Sequence, residues 1–217
     1  MDNGKIQVAI LTGGHPYDVI SFNKLLGSLP GVEYYIQAIE EFCTDPGKCV
    51  DKYDVIMFYN MTSSTPQDTE AWNTVYKRPL EEIAERGQGI FVLHHATLAF
   101  PEWDFWDRIT GLQRKTFTYE FDQKVRLHVE DPNHPITRGL KDWEMIDETY
   151  FLTGAREGSH ILITTDNETS MDTIAWARQC VNSRVFCFQS GHDKQAYGNE
   201  SFSEVIIRGL KWVSTRI

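Results

Sequence analysis

The feature of this sequence that most limits its fold is a repeated alternation between short apolar runs and segments of helical periodicity. Runs rich in β-branched and aromatic residues cover residues 6–12, 32–39, 53–59 and 89–93. Strands of a buried parallel sheet have this continuous apolar character, and each crossover between them needs a helix. The alternation therefore predicts an α/β fold in which helices cover both faces of a mostly parallel central sheet.

Helix signals follow these runs. Residues 18–29 carry their apolar side chains on one side, and so do residues 201–214 near the C-terminal end. Thr65 offers a hydroxyl N-cap before Pro66, which predicts a helix that continues to about Glu85. A chain of 217 residues that is 41% hydrophobic suits one core, so we expect a single domain over residues 1–217.

The pattern changes after Thr110. Residues 124–130 alternate as a half-exposed strand does, whereas residues 143–150 show no clear period. Short apolar runs that suit antiparallel strands follow at 160–166, 172–178 and 184–189. Because no linker or repeat separates this part from the rest, we predict a lobe inserted after the fourth strand of the sheet.

Charge and composition limit the partners and the compartment. The chain has 31 acidic and 21 basic residues, a formal net charge of −10 and no cluster of Lys and Arg, which disfavours nucleic acid and anionic membranes. No stretch approaches the length of a membrane span, so we expect a cytoplasmic protein. The four cysteines lack CxxC spacing and favour a reduced state, although a bridge between Cys43 and Cys49 stays open.

Polar side chains follow four of the predicted strands. His15 comes after the first strand, Asn60 after the third, His94 and His95 after the fourth, and His192 after the last apolar run. In open α/β sheets, ligands bind beyond the carboxyl ends of the strands. One buried histidine is ordinary, but imidazoles at several strand ends predict one shared site.

The segment WEMIDETY, residues 143–150, adds the carboxylates Asp147 and Glu148 beside Tyr150. A histidine or a carboxylate with a tuned pKa is the usual general acid or base, and aromatic faces suit the apolar side of a sugar ring. Glu148 is therefore a candidate catalytic group, and Tyr150 and Trp103 are candidate sugar contacts. Surface charge for Glu148 and core packing for Trp103 are the plain alternatives.

A divalent metal such as zinc is a candidate cofactor. His15, His94, His95 and His192, together with Glu148, could give the three nitrogen or oxygen ligands and the open position of a catalytic zinc site. No HxxxH or HxH spacing supports this set, and adjacent His94 and His95 would diverge on a strand. The sequence therefore leaves both a metal site and a metal-free site open.

Five stretches occur along the chain in a specific order: TGGHPYD, GIFVLHHATLAFPEW, DPNHPITRGLKDWEMIDETY, TIAWAR and RVFCFQSGHDKQAYGNESFSEVIIRGLKWV. In these motifs the chain resembles the trehalose-utilisation (ThuA-like) family, from its first strand to its last helix. The resemblance implies a class I glutamine amidotransferase-like fold, which is a flavodoxin-like three-layer sandwich.

At the turn after the fourth strand the chain departs from the amidotransferases. Their chemistry forms a thioester on a cysteine at this turn. This chain has His94, His95 and Ala96 there, and no cysteine between Val50 and Cys180. Glutamine hydrolysis by that route is therefore not expected.

The resemblance also implies a function. Members of the family are associated with trehalose and related disaccharides, by way of 3-keto sugars that a partner sugar dehydrogenase makes. We expect acid–base conversion of such a sugar by isomerisation, elimination or hydrolysis, with Glu148 and His192 on opposite sides of the substrate. A non-catalytic carbohydrate-binding or sensing module is the alternative, and assembly into a homo-oligomer stays open.

The expected site has a catalytic part and a binding part. His192 stands where the related amidotransferases have their general-base histidine, with Asp193 available to orient it. The expected catalytic residues are His94, Glu148, His192 and Asp193. The expected substrate-binding residues are His15, Asn60, His95, Trp103 and Tyr150.

Overall fold

The computed structural model describes residues 4–45, 47–65, 71–113, 116–155, 157–215 and 217, without the side chains of 71–74. The strands in these ranges are β1 (Ile6–Gly13), β2 (Val32–Ala38), β3 (Val55–Asn60), β4 (Gly89–Leu93), β5 (Thr118–Val129), β6 (Trp143–Phe151), β7 (His160–Thr164), β8 (Thr173–Cys180) and β9 (Ser183–Phe188). They form one nine-stranded sheet in the order β2-β1-β3-β4-β9-β8-β7-β5-β6.

One half of the sheet is parallel. β1 pairs in parallel with β2 and β3, β3 pairs with β4, and β4 pairs with β9. Every residue of β3 and β4 is buried, as expected of strands with a helical layer on each face. The carboxyl ends of β1, β3, β4 and β9 therefore lie at the same edge of the sheet.

The prediction of a mostly parallel sheet is wrong, because the sheet is mixed. From β9 outward, β8, β7, β5 and β6 each pair antiparallel with the strand before them. The chain after β4 returns through antiparallel pairings, so the segment expected as an inserted lobe extends the same sheet. β6 has no visible period in the sequence because Asp147 to Tyr150 are all buried, which breaks the alternation of a strand.

Helices flank the sheet in the described ranges: α1 (Val19–Ser28), α2 (Ile39–Thr44), α3 (Ala71–Arg86), α4 (Asp104–Thr110), α5 (Lys194–Tyr197) and α6 (Glu200–Val213). The Asp18 side chain caps α1 by accepting a hydrogen bond from the backbone N–H of Ser21. The helix start predicted at Thr65 and Pro66 lies partly outside the described residues, because these omit 66–70.

The core has one apolar layer on each face of the sheet, because successive residues of a strand point to opposite faces. Val8 and Ile10 of β1 belong to the layer that α1 and α6 cover. Ala9 and Leu11 belong to the layer that α2, α3 and α4 cover. Helices therefore pack against both faces, as the alternating pattern predicts.

The cysteines and the helices bear on two further questions from the sequence, a disulfide bond and a membrane span. Cys43 and Cys49 are both free, so the bridge that the sequence leaves open is not formed. Burial raises the pKa of the Cys43 thiol to about 12, which makes it a poor nucleophile at neutral pH. Within the described residues, no helix combines the length and the apolar composition that a membrane span needs.

Candidate functional site

The two adjacent histidines lie at a sharp turn directly after β4. A short 3₁₀ helix, His94–Leu98, begins where β4 ends. The two histidines therefore do not lie on a strand, where their side chains would point to opposite faces. The backbone of His94 has φ +53°, a left-handed conformation that residues other than glycine seldom adopt. Such outliers are frequent at functional sites. Both rings are buried, and their centroids lie 5.2 Å apart.

Both ring nitrogens of His94 are engaged. Nδ1 lies 2.7 Å from the carbonyl oxygen of Gln189, and because a carbonyl can only accept, Nδ1 carries the hydrogen. In the neutral ring Nε2 then has a lone pair. This atom lies 3.0 Å from Glu148 Oε2 and 3.0 Å from the Tyr150 hydroxyl. His94 is therefore held by the loop after β9 on one side and by β6 on the other.

Glu148 joins three side chains through one carboxylate oxygen. Its Oε2 lies 3.0 Å from His94 Nε2 and 3.0 Å from His192 Nδ1, and it accepts a 2.7 Å hydrogen bond from the Tyr150 hydroxyl. Burial opposes the charged carboxylate, but the hydrogen bonds from His192 and Tyr150, together with the contact to His94, outweigh burial and hold the pKa of Glu148 well below its ordinary range. The hydrogen bond to Glu148 also raises the pKa of His192.

Glu148 and His192 contact each other directly, so a substrate cannot lie between them. The sequence suggests a substrate between these two groups, but atoms 3.0 Å apart leave no space for one. His192 is the member of the pair that reaches the surface, since 26% of its side chain is exposed against 4% for Glu148. A ligand at the surface can therefore touch His192, and Glu148 contacts the His192 ring from the buried side.

Asp147, the neighbour of Glu148, fixes the turn that carries His192. Its carboxylate accepts from the backbone N–H groups of Gly191 at 2.8 Å, His192 at 3.0 Å and Glu148 at 3.0 Å. Burial raises the pKa of Asp147. Gly191 has φ +123°, and a Cβ there would lie 3.1 Å from the Phe202 ring, so the turn requires glycine. The sequence singles out both carboxylates of the segment but not this difference between them.

We expect Asp147→Ala to destabilise the fold by about 2 to 4 kcal/mol, because three backbone N–H groups would lose their acceptor. In a chain of this size 1 kcal/mol corresponds to roughly 2–4 °C, so Tm should fall by about 5–15 °C. Calorimetric unfolding of this variant measures the loss, and Asp147→Asn, which keeps one acceptor oxygen, should lie between it and the parent. An alanine variant as stable as the parent would show that the turn does not need the carboxylate.

His15 follows β1 and lies on the same rim as His192. Its ring stacks on His95 with centroids 4.3 Å apart, and it lies 6.5 Å from the His192 ring. Nδ1 lies 2.7 Å from the carbonyl oxygen of Pro16 and so carries the hydrogen, whereas Nε2 has no hydrogen-bond partner in the described part of the chain. Burial lowers the pKa of His15 below its ordinary value, which favours a neutral ring near pH 7.

His95 lies beneath His15, away from solvent. Its Nε2 donates to the carbonyl oxygen of Tyr59 over 3.1 Å, and its Nδ1 is buried without a partner among the described residues. Burial, with the charges of His94 and His15, lowers the pKa of His95 to about 2. His95 is therefore a neutral ring on which His15 rests, and its 1% exposure leaves little surface for the substrate contact that the sequence suggests.

Gly14 gives His15 its position, and its replacement should be costly. The residue has φ +73°, and a Cβ would collide with the carbonyl of Met61, whose carbon lies 2.8 Å away. Gly139 has a similar φ of +76° with nothing within 4 Å. We expect Gly139→Ala to destabilise the fold by about 1 kcal/mol and Gly14→Ala by at least about 2 kcal/mol. Urea unfolding of both variants separates the clash from the backbone strain, and equal losses would show that the loop at Gly14 relaxes freely.

Three predicted site residues make no hydrogen bond or ring contact with the histidines among the described residues. Asn60 is buried at the end of β3 and hydrogen-bonds within the loop that follows. Asp193, expected to orient the general base, instead caps α5 by accepting from the backbone N–H of Gln195. Trp103 packs on Phe100 in the core layer and is only 6% exposed, which is too little for a sugar-binding face.

The sequence pattern does not reveal Phe121, which lies at the mouth of the site. Its ring is 5.2 Å from the His192 ring and 52% exposed. The pairing of β5 with β6 shifts register between Glu120 and Gln123, and Asp122 has φ +54° at this irregularity. The segment precedes the alternating run at 124–130, so no periodicity points to it.

Three side chains of this site could hold a metal ion. His94, Glu148 and His192 each offer one ligand atom, and these atoms all lie within 4.8 Å of one another. Of the four histidines that the sequence offers as ligands, His94 and His192 belong to this group. His15 and His95 lie outside it.

Comparison with known proteins assigns the chain to a family. The family model described as ThuA, trehalose utilisation, matches residues 31–213, which is most of the chain. The chain belongs to the ThuA family. Membership supports a role related to carbohydrates for this ThuA chain, and no curated protein matches its sequence.

Solved structures with the same fold include two ThuA-like proteins. One from Parabacteroides merdae ATCC 43184 is 17% identical, with a TM-score of 0.75 over 98% of this chain and 91% of that one. One from Bacteroides uniformis ATCC 8492 is 16% identical, with a TM-score of 0.71 over 96% and 91%. A glutamine amidotransferase from Thermotoga maritima is 5% identical, with a TM-score of 0.56 over 96% and 98%. The ThuA chain therefore shares its α/β fold with amidotransferase-like structures.

Proposed function

We propose that the chain is an enzyme of carbohydrate metabolism that transfers a proton at a carbon next to the carbonyl group of a disaccharide or its 3-keto derivative. A carbonyl group acidifies the neighbouring C–H, so the reaction needs a positioned base and a partner for the carbonyl oxygen. The family description supports a sugar as substrate. The rim formed by His15 and His192 supplies candidates for both groups.

The proposal rests on His15 and His192, two imidazoles on one rim whose hydrogen bonds differ. His15 gives its Nδ1 hydrogen to Pro16 and keeps an unbound Nε2, whereas His192 directs Nδ1 at the Glu148 carboxylate. Their centroids lie 6.5 Å apart, so one small substrate can touch both rings. Neighbouring groups whose environments favour opposite protonation states suit the roles of base and acid. We assign His15 as the base and His192 as the partner of the carbonyl oxygen, with Glu148 as its positioning residue.

The expected isomerisation, elimination and hydrolysis share their first step. His15 takes a proton from the carbon next to the carbonyl. The electron pair of that C–H bond forms a carbon–carbon double bond, and the π pair of the carbonyl moves to its oxygen, which protonated His192 stabilises. Return of a proton at a different carbon or face gives isomerisation. Departure of a glycosidic oxygen, which takes up a proton, gives elimination, and water can then add. A 3-keto substrate would come from a sugar dehydrogenase, which is the functional partner that this chemistry requires.

Turnover of a 3-keto-disaccharide tests the proposal. The parent protein should convert the sugar, and the double variant His15→Asn/His192→Asn should not, because both reacting groups are removed. The change would be followed by NMR of the sugar, with sugar binding measured separately by calorimetry. A non-catalytic binding module gives another result: the parent binds the sugar without converting it, and the double variant binds it more weakly.

A further inference from the structure

We infer that His94, Glu148 and His192 form a binding site for one divalent transition-metal ion. This is the same site that the proposed function uses, so the inference rests on that function and deepens it. An ion held here would supply, at the carbonyl oxygen of the sugar, the positive charge assigned above to protonated His192. The base, His15, lies outside the group of ligand atoms and keeps its role.

Three donor atoms converge on one point. His94 Nε2 and His192 Nδ1 each lie 3.0 Å from Glu148 Oε2, and all three atoms fall within 4.8 Å of one another. Zinc binds imidazole nitrogen and carboxylate oxygen at about 2.0–2.2 Å, so the ligand atoms of a tetrahedral site stand about 3.3 Å apart. The two 3.0 Å separations are close to this spacing.

The hydrogen bond at Nδ1 leaves Nε2 of His94 available as a ligand atom. Because the Gln189 carbonyl accepts the Nδ1 hydrogen of His94, Nε2 is the ring nitrogen that can present a lone pair, and it lies 3.0 Å from the Glu148 carboxylate oxygen. Two electron-rich atoms at this distance repel each other unless a proton or a metal ion lies close to both. A backbone carbonyl on the other ring nitrogen is also a common outer partner of a metal-binding histidine.

The donor types indicate which ions would bind. Two imidazole nitrogens and one carboxylate oxygen suit Zn²⁺, Fe²⁺, Co²⁺ or Mn²⁺, whereas Ca²⁺ and Mg²⁺ prefer oxygen ligands alone. Three protein ligands leave at least one position for water or substrate. His192 is 26% exposed, so an open position beside it would face the surface. A sugar that offers a carbonyl oxygen is the class of ligand that fits there.

The surroundings hold the ligand side chains in place. Asp147 binds the backbone N–H of His192 at 3.0 Å, and the Gln189 carbonyl orients His94. The Tyr150 hydroxyl lies 2.7 Å from Glu148 Oε2 and 3.0 Å from His94 Nε2. It is therefore placed to hydrogen-bond to a water molecule or a sugar oxygen on the ion. Supporting bonds of this kind are what a preorganised metal site needs.

Metal titration of untagged, chelator-stripped protein tests the inference. We expect Zn²⁺ or Mn²⁺ to bind at one ion per chain in a calorimeter and to raise Tm, since the ion binds the folded state. Glu148→Gln and His192→Ala should each weaken binding by about 100-fold or more, because each removes one of three ligands. His128→Asn is the matched control: it removes a histidine of 31% exposure that is paired with a carboxylate outside this group, and should bind as the parent does.

Two results would overturn the inference. One is stripped, folded protein that binds none of Zn²⁺, Mn²⁺ and Co²⁺. The other is unchanged zinc affinity in both ligand variants, with circular dichroism confirming that they are folded; His192→Ala, at a partly exposed position, keeps the test usable if Glu148→Gln unfolds. If stripped protein converts the keto sugar and binds no ion, the metal inference is wrong and the proposed function stands. If the protein binds the ion but does not convert the sugar, the metal site stands and the proposed function is wrong.

Discussion

Glu148→Gln and His192→Asn should each lower turnover of a 3-keto-disaccharide by about 10²- to 10⁴-fold, the usual loss when a positioned acid or base is removed. Glutamine cannot carry the negative charge that Glu148 places beside His192, and asparagine cannot replace the His192 imidazolium. Tm should change little, because glutamine keeps the volume of Glu148 and an oxygen acceptor for Tyr150, and His192 is partly exposed. Steady-state kinetics and calorimetric unfolding measure the two effects.

Two matched substitutions separate this loss from a general effect of charge. Glu144 lies on the same strand as Glu148 but is exposed and paired with Lys124, so Glu144→Gln should keep parental activity. His128→Asn removes another carboxylate-paired histidine and should do the same. Full activity of both Glu148→Gln and His192→Asn on a sugar that the parent converts would exclude this pair from the reaction.

His15→Asn should lower kcat by about 10²- to 10⁴-fold, because asparagine cannot accept a proton from carbon. KM should change much less than kcat, since the lost contact acts in the transition state. The His15 ring is half-buried and rests on His95, so His15→Ala should leave a gap that added imidazole can enter. Partial recovery of turnover by imidazole would therefore support a base at this position.

His160 offers the control for His15. It is 55% exposed and paired with Asp131, so His160→Asn should keep the parental kcat and show no response to imidazole. A His15→Asn variant with the parental kcat would contradict the assignment of His15 as the base. That result would leave the assignment of His192 as the partner of the carbonyl oxygen unchanged.

The sequence predicts strands well where they are buried on both faces, and poorly where burial is not periodic. β4 is predicted at 89–93 and occurs at Gly89–Leu93. β6 is not predicted, because four consecutive buried residues hide its alternation. Strand direction is also hidden: the run RVFCFQ forms β9, which pairs in parallel with β4 and antiparallel with β8. An apolar run carries no signal for either direction, so the mixed sheet could not be derived.

The rule that ligands bind at the carboxyl ends of strands predicts that four histidines lie near one another. Each of the four rings, His15, His94, His95 and His192, lies in stacking or edge contact with two of the others, because the parallel strands before them end at one edge. Their chemical roles depend on which nitrogen faces which oxygen, and sequence order does not encode that.

Sequence proximity is misleading at one position of the site. Asp193 is next to His192 in the chain, yet its side chain turns away to cap α5. Glu148, far away in sequence, supplies the carboxylate contact to His192. The neighbouring Asp147 of β6 accepts from the backbone N–H groups of Gly191 and His192, which holds the loop after β9 against this strand. Trp103 is misleading for another reason. Its aromatic ring would suit a sugar site, but it packs in the core instead.

Deuterium uptake from D₂O tests most directly the central claim that this site transfers a proton next to a sugar carbonyl. Proton NMR of a 3-keto-disaccharide, incubated with a small amount of protein, follows the hydrogens on the carbons beside the carbonyl. With the parent these signals should be lost or converted into product signals, and with His15→Asn/His192→Asn they should persist at the uncatalysed rate. A parent protein that binds the sugar but leaves these hydrogens at the uncatalysed rate, or a double variant that exchanges them as fast as the parent, would contradict the account.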